Sequence, residues 1–208
     1  MFVKIKLTDI PVYYINVDSE KEKAERLEKT LADLGWTNIT RFKGVERANR
    51  RAGCAESHHT LLMQLQNQKT PFIVLEDDVS PYMFKRYVNV PEDADAFYLG
   101  LSRFGLYSGT GTKRISAEKR TKHVWRLYNM LAAHAILYVN PDYVKWLVRA
   151  INFPRSVQTN QDKARADTMK YWNIYGHSPA LFYQRGHNVK HTKISLPRSD
   201  MVGAGGAW

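Results

Sequence analysis

A chain of 208 residues, 44% of them hydrophobic and 25% charged, can bury one sizeable core without metal or disulfide staples. No apolar run approaches the roughly 18 residues of a membrane span, the N-terminal residues are expected to form a strand and not a secretory signal, and the lone Cys54 excludes an internal disulfide framework and a cysteine-rich zinc site. The expectation is one cytoplasmic domain over 1–208. Its +11 charge is lopsided: of 31 Lys+Arg and 20 Asp+Glu, residues 1–104 hold 15 and 15, leaving 16 and 5 for residues 105–208. Such a field draws anions, whether nucleic acid, phosphoglycan or an anionic membrane.

The N-terminus, MFVKIKLTDIPVYYINVD, alternates like a strand, and PVYYINV at 11–17 reads as a buried one. Ser19 is the predicted N-cap of a helix whose Ala24, Leu27, Leu31 and Leu34 share one face before Gly35 stops it. NITRFK at 38–43 predicts a short strand, and an Arg-rich loop leads to a helix from about Ser57 to Gln68. PFIVLEDDV at 71–79 is the sharpest strand, four apolar residues running directly into three carboxylates. AFYLGL at 96–101 is the next. After Gly105 the texture changes: SGTGT at 108–112 and the basic KRISAEKRTKHVWR at 113–126 read as a long mobile insertion or lid. LYNMLAAHAILYV at 127–139 reads as mostly strand, Pro141 opens a helix carrying Val144, Leu147, Val148 and Ile151, and a further helix is predicted over 166–175, ended by Gly176. ALFYQ at 180–184 is a last short strand, and the tail ending GAGGAW is expected to be mobile.

Strands alternating with helices predict an α/β sandwich with helices on both faces of a mixed, mainly parallel sheet. Ligands of such sheets bind beyond the carboxyl ends of the strands, where Glu76, Asp77 and Asp78 sit. Adjacent carboxylates repel unless a cation compensates them, and hard divalent metals prefer oxygen. Mg²⁺ or Mn²⁺ is therefore expected on Asp78, with Glu76 helping directly or through water, while strand alternation turns Asp77 to the other face. A solvated acidic turn or a helix-cap cluster is the alternative for this triplet.

Three blocks, Tyr14-Ile15-Asn16-Val17-Asp18 with Arg26, then Gly53-Cys54-Ala55-Glu56-Ser57-His58, then Val74-Leu75-Glu76-Asp77-Asp78-Val79, together resemble glycosyltransferase family 25, which includes lipooligosaccharide galactosyltransferases and related collagen-modifying enzymes. Weaker similarity continues through Tyr98-Leu99-Gly100, residues 133–138 and residues 179–184. The resemblance implies a GT-A fold, a three-layer α/β/α sandwich. It also implies a nucleoside-diphosphate sugar as donor, a UDP-sugar foremost, and a divalent metal bridging its diphosphate to the acidic motif. Carried over by residue, Ile15, Asn16 and Arg26 fall where the family contacts the nucleotide and Ser57 and His58 where it approaches the donor, with Asp77 beside them. Inversion at the anomeric carbon is also implied, which requires a carboxylate base. Asp167 occupies the matching place, with Asp162 in reserve, although the family's Pro-Val before that aspartate is absent. By analogy His187, or His191 after it, completes the metal site. The short length and Glu56 within the second block depart from the family.

The first half thus binds donor and metal, and the basic half presents an anionic acceptor, either a phosphorylated surface glycan or a hydroxylated base in DNA. Lys113, Arg114, Lys119, Arg120, Lys122 and Arg126, with Trp125 and Tyr128, are the candidate residues to hold phosphates and stack on bases. A base within a duplex would have to be flipped out. GTGTK at 109–113 has the wrong spacing for a phosphate-binding P-loop. Two rivals remain: a non-catalytic nucleic-acid-binding protein, indifferent to loss of Asp78, and a metal-dependent phosphohydrolase or nuclease, which would need further scattered ligands.

Overall fold

The computed structural model describes residues 1–106, 112–151 and 161–185. In chain order these form β1 (Phe2–Lys6), β2 (Val12–Asn16), α1 (Lys21–Leu34), β3 (Ile39–Lys43), α2 (Arg50–Leu65), β4 (Phe72–Glu76), β5 (Val79–Pro81), β6 (Tyr87–Pro91) and β7 (Ala96–Tyr98). Then come β8 (Phe104–Leu106), β9 (Thr112–Arg114), β10 (Ala117–Lys119), β11 (Val124–Leu127), β12 (Ala135–Tyr138), α3 (Pro141–Ile151), α4 (Gln161–Thr168), β13 (Ile174–His177) and β14 (Phe182–Gln184). No described helix is long and apolar enough to cross a membrane.

Eight strands make one sheet in the order β10-β11-β13-β7-β12-β4-β2-β3, and β1-β6, β14-β5 and β8-β9 pair separately. The sheet is mixed, as expected, but not mainly parallel: β2 runs parallel to β3 and β4, and β13 to β7, whereas the other four pairings are antiparallel. Two strands account for this: β12 enters between β4 and β7 against both, and β11 runs against both β10 and β13.

Alternation along the central strands feeds two cores. On one face Ile15, Phe72, Val74, Tyr98, Ile136 and Tyr138 pack under Leu61, Leu62 and Leu65 of α2 and Val144, Leu147 and Ile151 of α3. On the other, Val12, Tyr14, Ile73, Leu75, Phe97 and Leu137 meet Ala24, Leu27 and Leu31 of α1 and Val88 and Val90 of β6. Burying a whole Leu, Ile or Phe side chain contributes about 1.5–3 kcal/mol, so this two-sided burial dominates the fold. Gly35 ends α1 in the left-handed conformation at φ 99°, as its position after the apolar stripe requires.

Several local expectations are corrected. Ser19 does not cap α1; it lies in a 3-10 turn and donates to Glu46 instead. α2 begins at Arg50 rather than Ser57 because Asn49 is the cap, its Oδ1 accepting from the amides of Arg51 and Ala52. Residues 127–139 are not mostly strand: only Leu127, the end of β11, and Ala135–Tyr138, β12, are, and in the stretch between them the Asn129 side chain bonds the Ser116 amide and the Leu106 carbonyl. The helix expected over 166–175 ends at Thr168, and Ile174–His177 is a strand. Gly176 belongs to that strand, paired with Trp125 of β11 and Tyr98 of β7, and a Cβ there would press on Leu127 and Leu101. The basic segment is no lid over 112–126: it supplies β9, β10 and β11. SGTGT up to residue 111 and the tail lie outside the described residues.

Candidate functional site

The parallel strands β2, β3 and β4 deliver their carboxyl ends to one edge, and their last residues build the site. At the end of β2, Asn16 is 1% exposed. Its Nδ2 donates to Asp77 Oδ2 at 2.7 Å and to the Glu20 carbonyl at 2.9 Å, while its Oδ1 accepts from Arg41 Nε at 2.9 Å. Arg41 also reaches Asp18 at 2.8 Å, and Lys43 takes the other Asp18 oxygen at 2.5 Å. Hydrogen bonds from these two cations hold the Asp18 carboxyl down at about 2. Beside this ladder opens a pocket of about 440 Å³ lined by Asp18, Lys43, Gly44, Val45 and Glu46. Two Ser19 donors on Glu46 keep that carboxyl below its ordinary range.

Phe72 to Leu75 are buried, and the chain emerges at Glu76. Asp78, in the turn beyond the strand, has a buried Oδ1 without a hydrogen-bond partner among the described residues. Burial first, then the charges of Glu76 and Asp77, push its carboxyl up to about 6, with Lys23 and Gln184 only partly offsetting them. A buried oxygen left without a partner among like charges is costly. It suits a hard divalent cation, which takes oxygen donors and reverses the local penalty.

Glu76 faces the α2 side. Its Oε1 lies 3.1 Å from His58 Nε2, and its Oε2 accepts from Gln184 Nε2 at 2.8 Å. His58 is buried, and burial together with the nearby Arg165 cation pulls its basicity well below the usual histidine range, so the ring is neutral. On α4, burial and the charge of Glu76 push Asp162 up to about 6, with Arg165 and His58 opposing.

The structure thus brings Asn16, His58, Glu76, Asp77, Asp78 and Asp162 to one region. It treats the other sequence candidates differently. The Ile15 side chain is core. Ser57 is buried, and its Oγ accepts from the Val45 amide and donates to the Gly53 carbonyl, pinning the pocket wall to α2. Arg26 sits half-buried on α1. Asp167 points outward, paired at 3.2 Å with Lys170, so Asp162 is the better placed of the two acids. Lys119 and Lys122 are exposed, and Arg120 pairs with Glu118 at 3.1 Å. Trp125 and Arg126 are turned inward at 4% and 7% exposure and cannot stack on a base there. Lys113 and Arg114 lie on β9; His187 and His191 fall outside the described residues. Sequence reasoning missed Asp18, Arg41, Lys43 and Glu46 around the pocket, and Gln184, Gln161 and Arg165 behind Glu76. Only Arg41 and Lys43 left a signal, being cations two apart at the carboxyl end of a short strand.

No protein-family model matches the chain, and no curated protein does. Among solved structures, the chain is similar to a glycosyltransferase involved in the glycosylation of the major capsid of PBCV-1, with a TM-score of 0.51 and 10% identity over 87% of this chain and 95% of that one. A second similar structure is the nucleoside-diphosphate-sugar pyrophosphorylase from Vibrio cholerae RC9, with a TM-score of 0.46 and 13% identity over 82% and 73%. The described architecture, a large mixed sheet flanked by helices, is similar to that of the first of these structures.

Proposed function

We propose that this protein is a metal-dependent glycosyltransferase that moves a sugar from a nucleoside-diphosphate sugar to a hydroxyl of an anionic acceptor. The observation that carries this is the buried Asp78 Oδ1, without a hydrogen-bond partner among the described residues and set among Glu76 and Asp77, next to an open pocket at the carboxyl ends of β2 and β3 that Asp77 reaches through Asn16. The sequence blocks resembling glycosyltransferase family 25 and the fold support the same reading. Asp78, with Glu76, would hold Mn²⁺ or Mg²⁺, a Lewis acid that neutralises the charge developing on a diphosphate leaving group, while Asp77 stays on the donor side through Asn16. His187 stays a candidate further ligand.

In this scheme the pocket takes the nucleoside. Lys43 and Arg41 offer cationic donors, and Glu46 and Asp18 accept from ribose hydroxyls or base N–H groups. Asp162 accepts the proton of the acceptor hydroxyl; a carboxyl held near 6 is suited to general-base work around neutral pH. The excess charge of residues 105–208, with Lys119 and Lys122 exposed, favours DNA or a phosphorylated glycan as acceptor.

The test is a thermal-shift panel of nucleoside diphosphates and their sugars, with and without Mn²⁺, on the wild type and on Asp78→Asn. Stabilisation by one nucleotide that requires both Mn²⁺ and Asp78 is expected. Indifference of every nucleotide to the metal would remove the enzyme reading.

A further inference from the structure

Behind Glu76 runs a buried polar chain with no part in the scheme above. Arg165, fully buried on α4, lies with Nη2 3.3 Å from His58 Nδ1 and donates from Nε to the Tyr138 hydroxyl at 3.2 Å. Its Nη1 donates to Gln161 Oε1, and the Gln161 amide reaches Cys54 Sγ at 3.6 Å. A guanidinium carries donors only. His58 Nδ1 must therefore be the acceptor, the proton of the neutral ring sits on Nε2, and Nε2–H donates to Glu76 Oε1 at 3.1 Å.

We propose that Arg165 is a positioning residue which locks His58 as the Nε2–H tautomer and, through it, fixes the carboxylate of Glu76 beside Asp78. Because Gln161 and Arg165 are one turn apart on the helix that carries Asp162, the same contacts tie α4 to the acidic end of β4. The consequence for the metal rests on the glycosyltransferase reading; the tautomer does not.

The same atoms pose a rival use. Ligand atoms of Cys54, His58 and Glu76 lie within 4.8 Å of one another, a sulfur, nitrogen and oxygen set that suits a transition metal. Binding through Nε2 needs the lone pair of that nitrogen. With Arg165 donating to Nδ1, the ring could offer it only as an imidazolate, and the ion would sit near a buried cation. Arg165 therefore keeps the triad a hydrogen-bond relay.

The test begins without metal, on protein labelled with ¹⁵N-histidine, the His58 signals being those lost in His58→Gln. Long-range ¹H–¹⁵N spectra are expected to show Nδ1 bare and Nε2 protonated; a proton on Nδ1 overturns the proposal. Mn²⁺ affinity is then measured by titration. In His58→Gln, whose amide N–H replaces Nε2–H, affinity stays within about threefold of wild type; in His58→Asn, too short to reach Glu76, and in Arg165→Lys, it falls about tenfold or more, as for partners of metal ligands. Equal loss in both His58 variants overturns the relay, as does a thiolate-to-cobalt charge-transfer band in wild type with Co²⁺. Should an Arg165 variant fail to unfold cooperatively, the wild-type spectrum and the His58 pair decide. Absence of Mn²⁺ binding in wild type would defeat the metal reading, and the tautomer would then be judged on the spectrum.

Discussion

The two ends of the eight-stranded sheet treat charge in opposite ways. At the β3-β2-β4 end, Asp18, Arg41, Lys43, Asp77 and Asp78 gather at strand termini, where they face a pocket and one another. At the β7-β13-β11 end, charged and titratable groups are turned into the scaffold. Arg126 donates to the carbonyls of Leu127, Met169 and Ile174 and stacks on the rings of Tyr128 and Tyr175. Asp95 accepts from the Asn140 amide and the Asn173 backbone, and His177 stacks on His123 while bonding the Pro179 carbonyl. The lesson is that net charge does not locate a binding face; what counts is whether charged groups are spent inside the scaffold or gathered beside a pocket.

The largest test of that contrast is Asp78→Asn. Sugar transfer should fall by about 10³-fold, the scale of losing a main electrostatic stabiliser, while the metal-free protein gains on the order of 2 kcal/mol because a carboxyl raised to about 6 no longer ionises in a buried place. Initial rates and melting in EDTA check the two halves. Asp162→Asn should lower kcat by about 10²-fold and Asp167→Asn leave it within about twofold; equal effects would erase the distinction drawn between the inward and the outward aspartate. Arg126→Ala should cost about 3 kcal/mol in urea denaturation, since carbonyls deep in the fold lose a charged donor.

A pH series on the metal-free protein sharpens the comparison further. Asp78 and Asp162 have folded values above their unfolded 3.8. Their protonated forms are therefore favoured by folding, and stability should decline as pH rises from about 4 to about 6. Asp18, held at about 2, acts in the opposite sense, its contribution vanishing as pH falls below about 4. Saturating Mn²⁺ should flatten the upper limb, as calorimetry in EDTA and in Mn²⁺ would show. The smallest effect belongs to Lys119→Gln with Lys122→Gln, which should reduce the slope of log affinity against log salt for a DNA acceptor by about 0.7–0.9 per lysine that contacts phosphate.

Where local chemistry decides structure, the sequence was readable. β2, α1 with Gly35, β4 and its acidic end all follow from neighbours within a few residues, and Pro141 opens α3 as expected. Asn49 was hidden in an Arg-rich stretch, so the first two turns of α2 went unread. Gly176 looked like a helix stop, although it is flush with Leu101 and Leu127 in a strand whose partners β7 and β11 are distant in sequence. Arg126 and Trp125 looked like a basic aromatic surface because nothing near them in sequence announces that β11 is covered. For the site, the acidic triplet was visible, but its supports were not: Gln184 meets Glu76 across 108 residues and Arg165 meets His58 across 107.

The contact between α2 and the loop after β3 sets how this protein can diversify. A Cβ on Gly53 would come within 2.5 Å of the Val45 carbonyl, and Ser57 grips the same stretch one turn later. Backbone lies on backbone there, so the pocket wall is closed to gradual enlargement from the helix side. If the pocket takes a nucleoside as proposed, exchange of one nucleotide for another, in natural drift or in directed evolution, should therefore run through the outward residues Lys43 and Glu46, with Gly53 and Ser57 among the last positions to tolerate change.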